Sequence, residues 1–262
     1  MSDPLRVERR DDGVVLLTLD LPERRNTMTP ELTSAWVEAV RALKGDRSVR
    51  CVVVTGAGTA FCAGGDVGWL ASEPDATPDA LRDRMAPFYR SWLSIRDLDV
   101  PTVAALNGAA VGAGLAMAMA CDLRYATETA KLSVPFTVLG MHPGMASTWS
   151  LPQLVGLPAA RELFFTGRAV AGQEAVALGL VNRVFPAEGF LDEVLGIAAT
   201  IAAAAPVATR LTKVALAGGG HADVETALEW ESLAQPVTLA TADLQEGLRA
   251  RAEKRRPRFT GR

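Results

Sequence analysis

Apolar residues recur along this chain both in short uncharged runs and in stripes at helical spacing, and the two patterns alternate. Arg6 to Arg10 and Val14 to Leu19 read as two strands, joined by the hairpin signal Asp11-Asp12-Gly13. Thr29 with Pro30 behind it starts a helix whose Leu32, Trp36, Val40 and Leu43 fall on one face. Cys51-Val52-Val53-Val54-Thr55 follows, β-branched, uncharged, and short enough to be a fully buried strand. The polar stretch Ala71 to Asp79 reads as a mobile loop. Thr77-Pro78 then opens a helix with Leu81, Met85, Phe88, Trp92 and Ile95 in a stripe that reads as core. Strands at 102–106 and 123–127, a short one near 132–134 and a helix at 112–120 continue the alternation, which favours an α/β fold. From about Gly189 no strand pattern remains. Ala and Leu dominate there, and helices are expected at 190–204, 206–217, 222–234 and 239–255. No repeat is strict enough to mark a solenoid.

Two of the buried runs break into glycine. After Thr55 come Gly56, Gly58, Gly64 and Gly65 within ten residues. After Leu106 come Asn107-Gly108, Gly112 and Gly114, and then the small apolar helix Leu115 to Ala120. Glycine has no Cβ, so a ligand can come close to such a loop. Its N–H groups, and those at a helix N-terminus, favour negative charge. One N–H from each loop, meeting at a single oxygen, would make an oxyanion hole. Either cluster alone fits a small-residue turn packed on a helix equally well.

The 262 residues can bury one large core, or a core with a helical appendage. With 49% apolar residues, 22% charged residues and a net charge of −3, the chain has neither a nucleic-acid groove nor a polybasic membrane surface to offer. The basic tail from Arg249 to Arg262 is the local exception. Cys51, Cys62 and Cys121 are odd in number and form no Cys-x-x-Cys pair, so reduced thiols and a cytoplasmic location are expected. Residues 1–13 are too polar for a secretory signal. The apolar run Ala198 to Leu216 is interrupted by Pro206, Arg210 and Lys213 and is not expected to span a membrane.

Neither glycine cluster has the spacing of a P-loop or of a dinucleotide fingerprint, and no Gly-x-Ser-x-Gly elbow is present. With only two histidines, His142 and His221, no histidine-rich metal site is expected. His221 follows Gly218-Gly219-Gly220 and reads as a solvated loop residue.

An ordered set of segments carries a resemblance. Thr55-Gly56-Ala57-Gly58 leads to Phe61-Cys62-Ala63-Gly64-Gly65-Asp66-Val67, with Asn107-Gly108 to Cys121-Asp122 downstream. Leu21-Pro22-Glu23-Arg24-Arg25-Asn26-Thr27-Met28, Gly140-Met141-His142-Pro143-Gly144, Phe165-Thr166-Gly167-Arg168, Ala177-Leu178-Gly179-Leu180-Val181 and Lys254-Arg255-Arg256-Pro257 agree in order and spacing. Together they resemble the crotonase superfamily (the enoyl-CoA hydratase/isomerase family) over essentially the whole chain. The resemblance implies a spiral of strand–helix turns in residues 1–195 and a C-terminal helical trimerisation region in 196–262. It implies an acyl-CoA thioester substrate, no cofactor or metal beyond the CoA the substrate carries, and a homotrimer or a dimer of trimers.

By that resemblance the oxyanion donors are the backbone N–H groups of Gly65 and Ala113. Ala63, Asp66, Val67 and Gly68 join them at the substrate. Arg24, Arg25, Lys254 and Phe259 match segments that meet CoA. Taken singly each arginine also fits a solvated surface charge, and Asp66 fits a local cap better than a catalytic acid. In enoyl-CoA hydratases one glutamate follows the second donor by three residues and another precedes the Gly-x-x-Pro-Gly turn. Here those places hold Ala116 and Phe136, which exchange no protons. His142, Thr137, Ser147, Thr148 and Trp149 remain nearby, and so does the loop carboxylate of Glu73 or Asp75. Histidine is the side chain best suited to exchange protons near neutrality, but His142 fits a structural histidine as well. Cys62 is a remote candidate for a nucleophile. The expected function is an enzyme that stabilises an enolate oxyanion without the usual two glutamates. Two alternatives stand beside it, an acyl-CoA binder with little or no hydratase activity and a scaffold acting through its trimer surface.

Overall fold

The uncharged runs pair side by side in a computed structural model, which describes residues 3–217 and 220–262. Gly218 and Gly219, part of the triple glycine before His221, lie outside the described residues. In chain order the elements begin with β1 (Leu5–Arg9), β2 (Val14–Leu19), α1 (Pro30–Leu43), β3 (Cys51–Gly56), β4 (Ala60–Cys62), α2 (Val67–Leu70) and α3 (Pro78–Leu93). They continue with β5 (Thr102–Leu106), β6 (Ala109–Val111), α4 (Ala113–Met119), β7 (Leu123–Thr127), β8 (Leu132–Ser133), α5 (Ser147–Thr166) and α6 (Gly172–Ala177). The last are β9 (Arg183–Phe185), α7 (Phe190–Ala202), α8 (Pro206–Leu216), α9 (Val224–Leu239) and α10 (Ala242–Ala252).

Among the described residues these strands form a six-stranded sheet in the order β1-β2-β3-β5-β7-β9 and a three-stranded sheet in the order β4-β6-β8. Only the β1–β2 hairpin is antiparallel; every other pair in both sheets is parallel. The hairpin closes at Gly13, whose φ of +83° suits glycine. The large sheet explains the unbroken apolar runs. Val15, Leu17, Leu19, Val52, Val54, Ala104 and Leu106 face a core shared with Trp36 and Trp92. Their neighbours Val14, Leu16, Cys51, Val53, Val103 and Ala105 face a second core, closed by Phe190, Val194, Ala198 and Ala202 of α7. Alternate residues of one strand point to opposite faces, so a strand covered on both faces is apolar throughout. The two tryptophans stack at 5.1 Å and satisfy their ring N–H groups on Ser91 O and Thr33 Oγ1.

Several elements depart from the sequence reading. The short strand at 132–133 pairs with β6 in the small sheet rather than extending the large one. α5, α6 and β9 fill a stretch that shows no clear period, and α5 is broken at Gly156, where φ is +74° and ψ is 158°. α9 runs through Pro236 to Leu239 instead of ending near 234; a proline interrupts the ladder of N–H bonds there without ending the helix. Ile95 lies past the end of α3, in the turn Ser94–Asp97. His221 is half-buried beside Trp230, with ring centroids 6.4 Å apart, and is not the solvated residue its glycine-rich setting predicts. The apolar run from α7 to α8 bends by 105°, and no single described helix is long and apolar enough to cross a membrane.

The C-terminal helices are less enclosed. No residue of α9 is buried, and Val224, Leu228, Leu233, Val237 and Leu239 are exposed along it. α10 holds the tail, because the buried Asp243 accepts hydrogen bonds from the N–H groups of Thr260 and Gly261.

Candidate active site

The small sheet continues beyond the C-terminal ends of β3 and β5 and carries both glycine loops. Asn107 ties the two strand exits together, its Oδ1 accepting from Gly56 N–H at 3.1 Å and its Nδ2 donating to Gly58 O at 3.1 Å. The chain then forms β4 and β6 before either loop begins. The expected donors therefore leave a second, shorter pair of strands rather than the large sheet itself.

Close approach fixes the glycines. A Cβ on Gly64, at φ +99°, would stand 2.7 Å from Val111 O and 3.4 Å from Ala113 N. A Cβ on Gly114 would stand 2.3 Å from Cys62 O. No larger residue lets the two loops touch. Gly112 donates to Ser133 O at 2.9 Å, and its own carbonyl accepts from Ala116 N, which starts α4. Ala113 is then the first residue of the helix, where an N–H has no intrahelical partner. Among the described residues neither Gly65 N–H nor Ala113 N–H is bonded to a backbone carbonyl.

A second device braces the first loop. Ala63 N–H donates to Arg25 O and Met28 N–H to Gly64 O, so the Leu21–Met28 turn lies along it. Asn26, wholly buried, holds that turn by accepting from Leu21 N–H and donating to Ala57 O and Ala60 O. Arg25 and Asn26 have φ of +52° and +55°. Sequence reasoning assigned Asn26 no role; its signal was the tolerance of asparagine for left-handed backbone. Asp66 caps α2 through Oδ1, which accepts from Trp69 N–H, and its Oδ2 pairs with Arg24. The capping role is the one observed.

Gly65 and Ala113 both line a cavity of about 130 Å³. Ala63, Val67, Leu70, Met85, Phe88, Phe136, Leu139, Met141 and Met145 make its wall largely apolar. Its polar side chains are His142 and Tyr89, and among the described residues no carboxylate lines it. His142 is exposed, and its Nδ1 lies 2.8 Å from Pro143 O. A carbonyl only accepts, so Nδ1 carries a hydrogen in this contact and Nε2 is the ring nitrogen left to face the cavity side. Tyr89 is half-buried, and burial raises its phenol above the usual value. It escaped the sequence reading because it sits beside Phe88, off the stripe of α3.

Other candidates lie elsewhere. Ala116 is buried within α4 and does not reach the wall. The Thr137 hydroxyl donates to Phe164 O. Trp149 lies under Arg96 and lines a separate cavity of about 680 Å³ between α5 and α8, which holds neither donor. Glu73 is paired with Arg84 at 3.1 Å and, like Asp75 and Ser147, is absent from the wall. The Arg84 side chain also bonds Ser72 Oγ and Leu70 O, so the 71–79 stretch is tied to α3. Cys62 is fully buried and its thiol is pushed up to about 12 by burial, which removes it as a nucleophile. Arg24, Arg25 and Gly68 are exposed and lie outside the wall. The Phe259 carbonyl accepts from Arg50, which precedes β3, at the opposite end of the sheet from Gly65 and Ala113. Lys254 follows α10 and is likewise absent from the wall.

Known proteins are similar to this chain in sequence and in fold. The family model for enoyl-CoA hydratase/isomerase matches residues 9–262. A mouse mitochondrial methylglutaconyl-CoA hydratase is 35% identical over 272 aligned residues, covering 99% of this chain and 84% of the mouse protein. The crystal structure of an enoyl-CoA hydratase from Bacillus anthracis superposes with a TM-score of 0.92 at 33% identity, covering 99% of this chain and 100% of that one. An enoyl-CoA hydratase from Mycobacterium smegmatis superposes at 0.90 with 30% identity, over 98% of this chain and 99% of that one. Likeness over the full length in both sequence and fold shows that the chain belongs to the enoyl-CoA hydratase/isomerase (crotonase) family.

Proposed function

We propose that this chain binds an acyl-CoA thioester with its carbonyl oxygen between the N–H groups of Gly65 and Ala113 and works through an enolate. Membership of the family makes it an enzyme of the enoyl-CoA hydratase/isomerase type, acting on acyl-CoA. The observation that carries the finer reading is the pair of donors, both on the wall of one largely apolar cavity. In such a site a donor aimed at a developing oxyanion typically lowers the barrier by about 2.7–4 kcal/mol.

The cavity's volume of about 130 Å³ favours a short acyl group. It is roughly four times the ≈30 Å³ that one water occupies in the liquid. The CoA portion then lies outside, where Arg24 and Arg25 offer positive charge to its phosphates. Lys254 and Phe259 would reach the same CoA only from a neighbouring subunit, given that Phe259 docks at the far end of the sheet. That favours a trimer or dimer of trimers assembled through residues 196–262, and so does the exposed apolar face of α9.

His142, through Nε2, is the residue we assign to proton transfer. With Ala116 and Phe136 at the positions of the usual glutamates, water has no carboxylate to hold it, and efficient hydration is not the reaction we expect. The same observation favours a second reading, an acyl-CoA binder with little or no turnover. The exposed α9 face leaves a third, a scaffold that works through its assembly. Calorimetry with saturated and unsaturated acyl-CoAs separates the third from the others. The absence of heat across the panel would sink both CoA readings. Gly65→Pro deletes one donor, and a folded variant with unchanged turnover would remove Gly65 from the mechanism.

A further inference from the structure

Among the described residues the wall of the donor cavity has two polar side chains, and they arrive from different elements: Tyr89 from α3 and His142 from the turn after β8. Gly144 brings them to one side. A Cβ there would stand 2.6 Å from the Tyr89 hydroxyl oxygen, so only glycine lets the phenol reach the turn that carries His142. The surroundings are Leu70, Met85, Phe88, Phe136, Leu139 and Met141, none of which binds water. A held water needs two to four polar partners. Proton transfer between carbons needs only an acid and a base within reach of the chain.

We propose that Tyr89 is a second catalytic residue: in the migration of a double bond in a 3-enoyl thioester, a reaction of the isomerase kind that the family name already covers, it donates its phenolic proton to the γ-carbon of a dienolate after His142 has removed the α-proton. The proposal rests on the reading that Gly65 and Ala113 hold the thioester oxygen. His142 Nε2 takes the proton from Cα, and the C–H electron pair becomes the Cα=C bond of a dienolate whose charge rests on the thioester oxygen. Electrons then return from that oxygen, the β,γ double bond shifts to α,β, and Cγ takes the proton of the Tyr89 O–H. The imidazolium, open to solvent, returns a proton to the phenolate through water. Atoms and charge balance without any further reactant. Burial keeps the phenol protonated across the neutral range, as an acid waiting for a carbanion must be.

Two rates test this, with 3-pentenoyl-CoA and butyryl-CoA as probes. Appearance of the conjugated 2-enoyl thioester reports migration, and loss of the α-proton signal of butyryl-CoA in deuterated water reports enolate formation alone. Tyr89→Phe keeps the ring and removes only the proton, so the ratio of migration to α-exchange should fall about 10²-fold or more. Gly144→Ala, which crowds the hydroxyl, should lower the same ratio, with melting temperature as the check on folding. A ratio unchanged in Tyr89→Phe, or an equal fall in both rates, overturns the proposal. So does an unmodified enzyme that binds butyryl-CoA yet shifts no double bond. Calorimetry showing no binding of butyryl-CoA instead removes the underlying reading, and the proposal with it.

Discussion

The ring of Phe136 stands with Cε1 and Cζ 3.7 Å from the point where a side chain on Gly112 would begin. That is ordinary contact, so alanine at Gly112 fits the space. It does not fit the backbone, which holds φ +55° and ψ −115° immediately before Ala113, the proposed donor. A side chain in so sparsely populated a conformation costs about 1–3 kcal/mol. Gly112→Ala should therefore melt lower, by about 2–4 °C per kcal/mol in a chain approaching this size. Its turnover should fall as well, because relaxing the strain turns the Ala113 N–H away from the cavity. Thermal unfolding beside steady-state kinetics checks both, and unchanged melting would show that the loop relaxes without cost.

The three cysteines are buried, and burial pushes each thiol up to about 12. A free cysteine ionises near 8.5, so at pH 8 these hold far less thiolate than an exposed one. A disulfide reagent such as dithionitrobenzoate should find no reactive thiol in the native protein and all three in denaturant. Cys62→Ala should retain turnover. Fast native labelling at Cys62 would restore it as a candidate nucleophile.

The parts of the fold that were legible are those whose environment is uniform along the element. β2, β3 and β5 lie between two cores, so every residue is apolar and the run announces itself. α1 buries a single stripe, Leu32-Trp36-Val40-Leu43, and that too is periodic. β4 and β6 have three residues each and gain their identity from partners about fifty residues away, which no local pattern contains. α5 hides because Gly156 and two prolines break its period. On the cavity wall, Gly65 and Ala113 stand in ordered motifs that single them out as candidates. Tyr89 and Asn26 are not singled out in this way, since a single residue beside a core stripe or inside a tight turn leaves no pattern.

The single chain leaves one helix uncovered along its length. Leu233 is 70% exposed on α9, and no residue of that helix is buried. We expect light scattering at micromolar concentration to give three or six times the monomer mass. Leu233→Asp changes little within one chain, where an exposed substitution is usually within about 0.5 kcal/mol. It should nonetheless weaken the assembly if α9 lies at an interface. A monomeric unmodified protein would refute the trimer.

The hydration of crotonyl-CoA decides how much chemistry the wall of the cavity permits. Hydration needs a positioned water with a base to deprotonate it and an acid to protonate Cα, the work two glutamates do in the ordinary mechanism. Ala116 is sealed inside α4, and Phe136 places an apolar ring on the wall beside Gly112. General acid–base help is worth roughly 10²–10⁴-fold per group, and among the described residues no carboxylate lines this wall to supply it. The unmodified protein should therefore hydrate crotonyl-CoA far below a typical turnover of about 10 per second. Ala116→Glu with Phe136→Glu should raise that rate, whereas either alone supplies only half of the pair. The double variant places two carboxyl groups at buried positions, and burial favours the protonated form that a general acid requires. Melting and binding of butyryl-CoA must be measured alongside, so that an unfolded variant is not mistaken for an inactive one. Brisk hydration by the unmodified protein would place the working acid elsewhere, and Tyr89 with His142 would then be the first pair to remove.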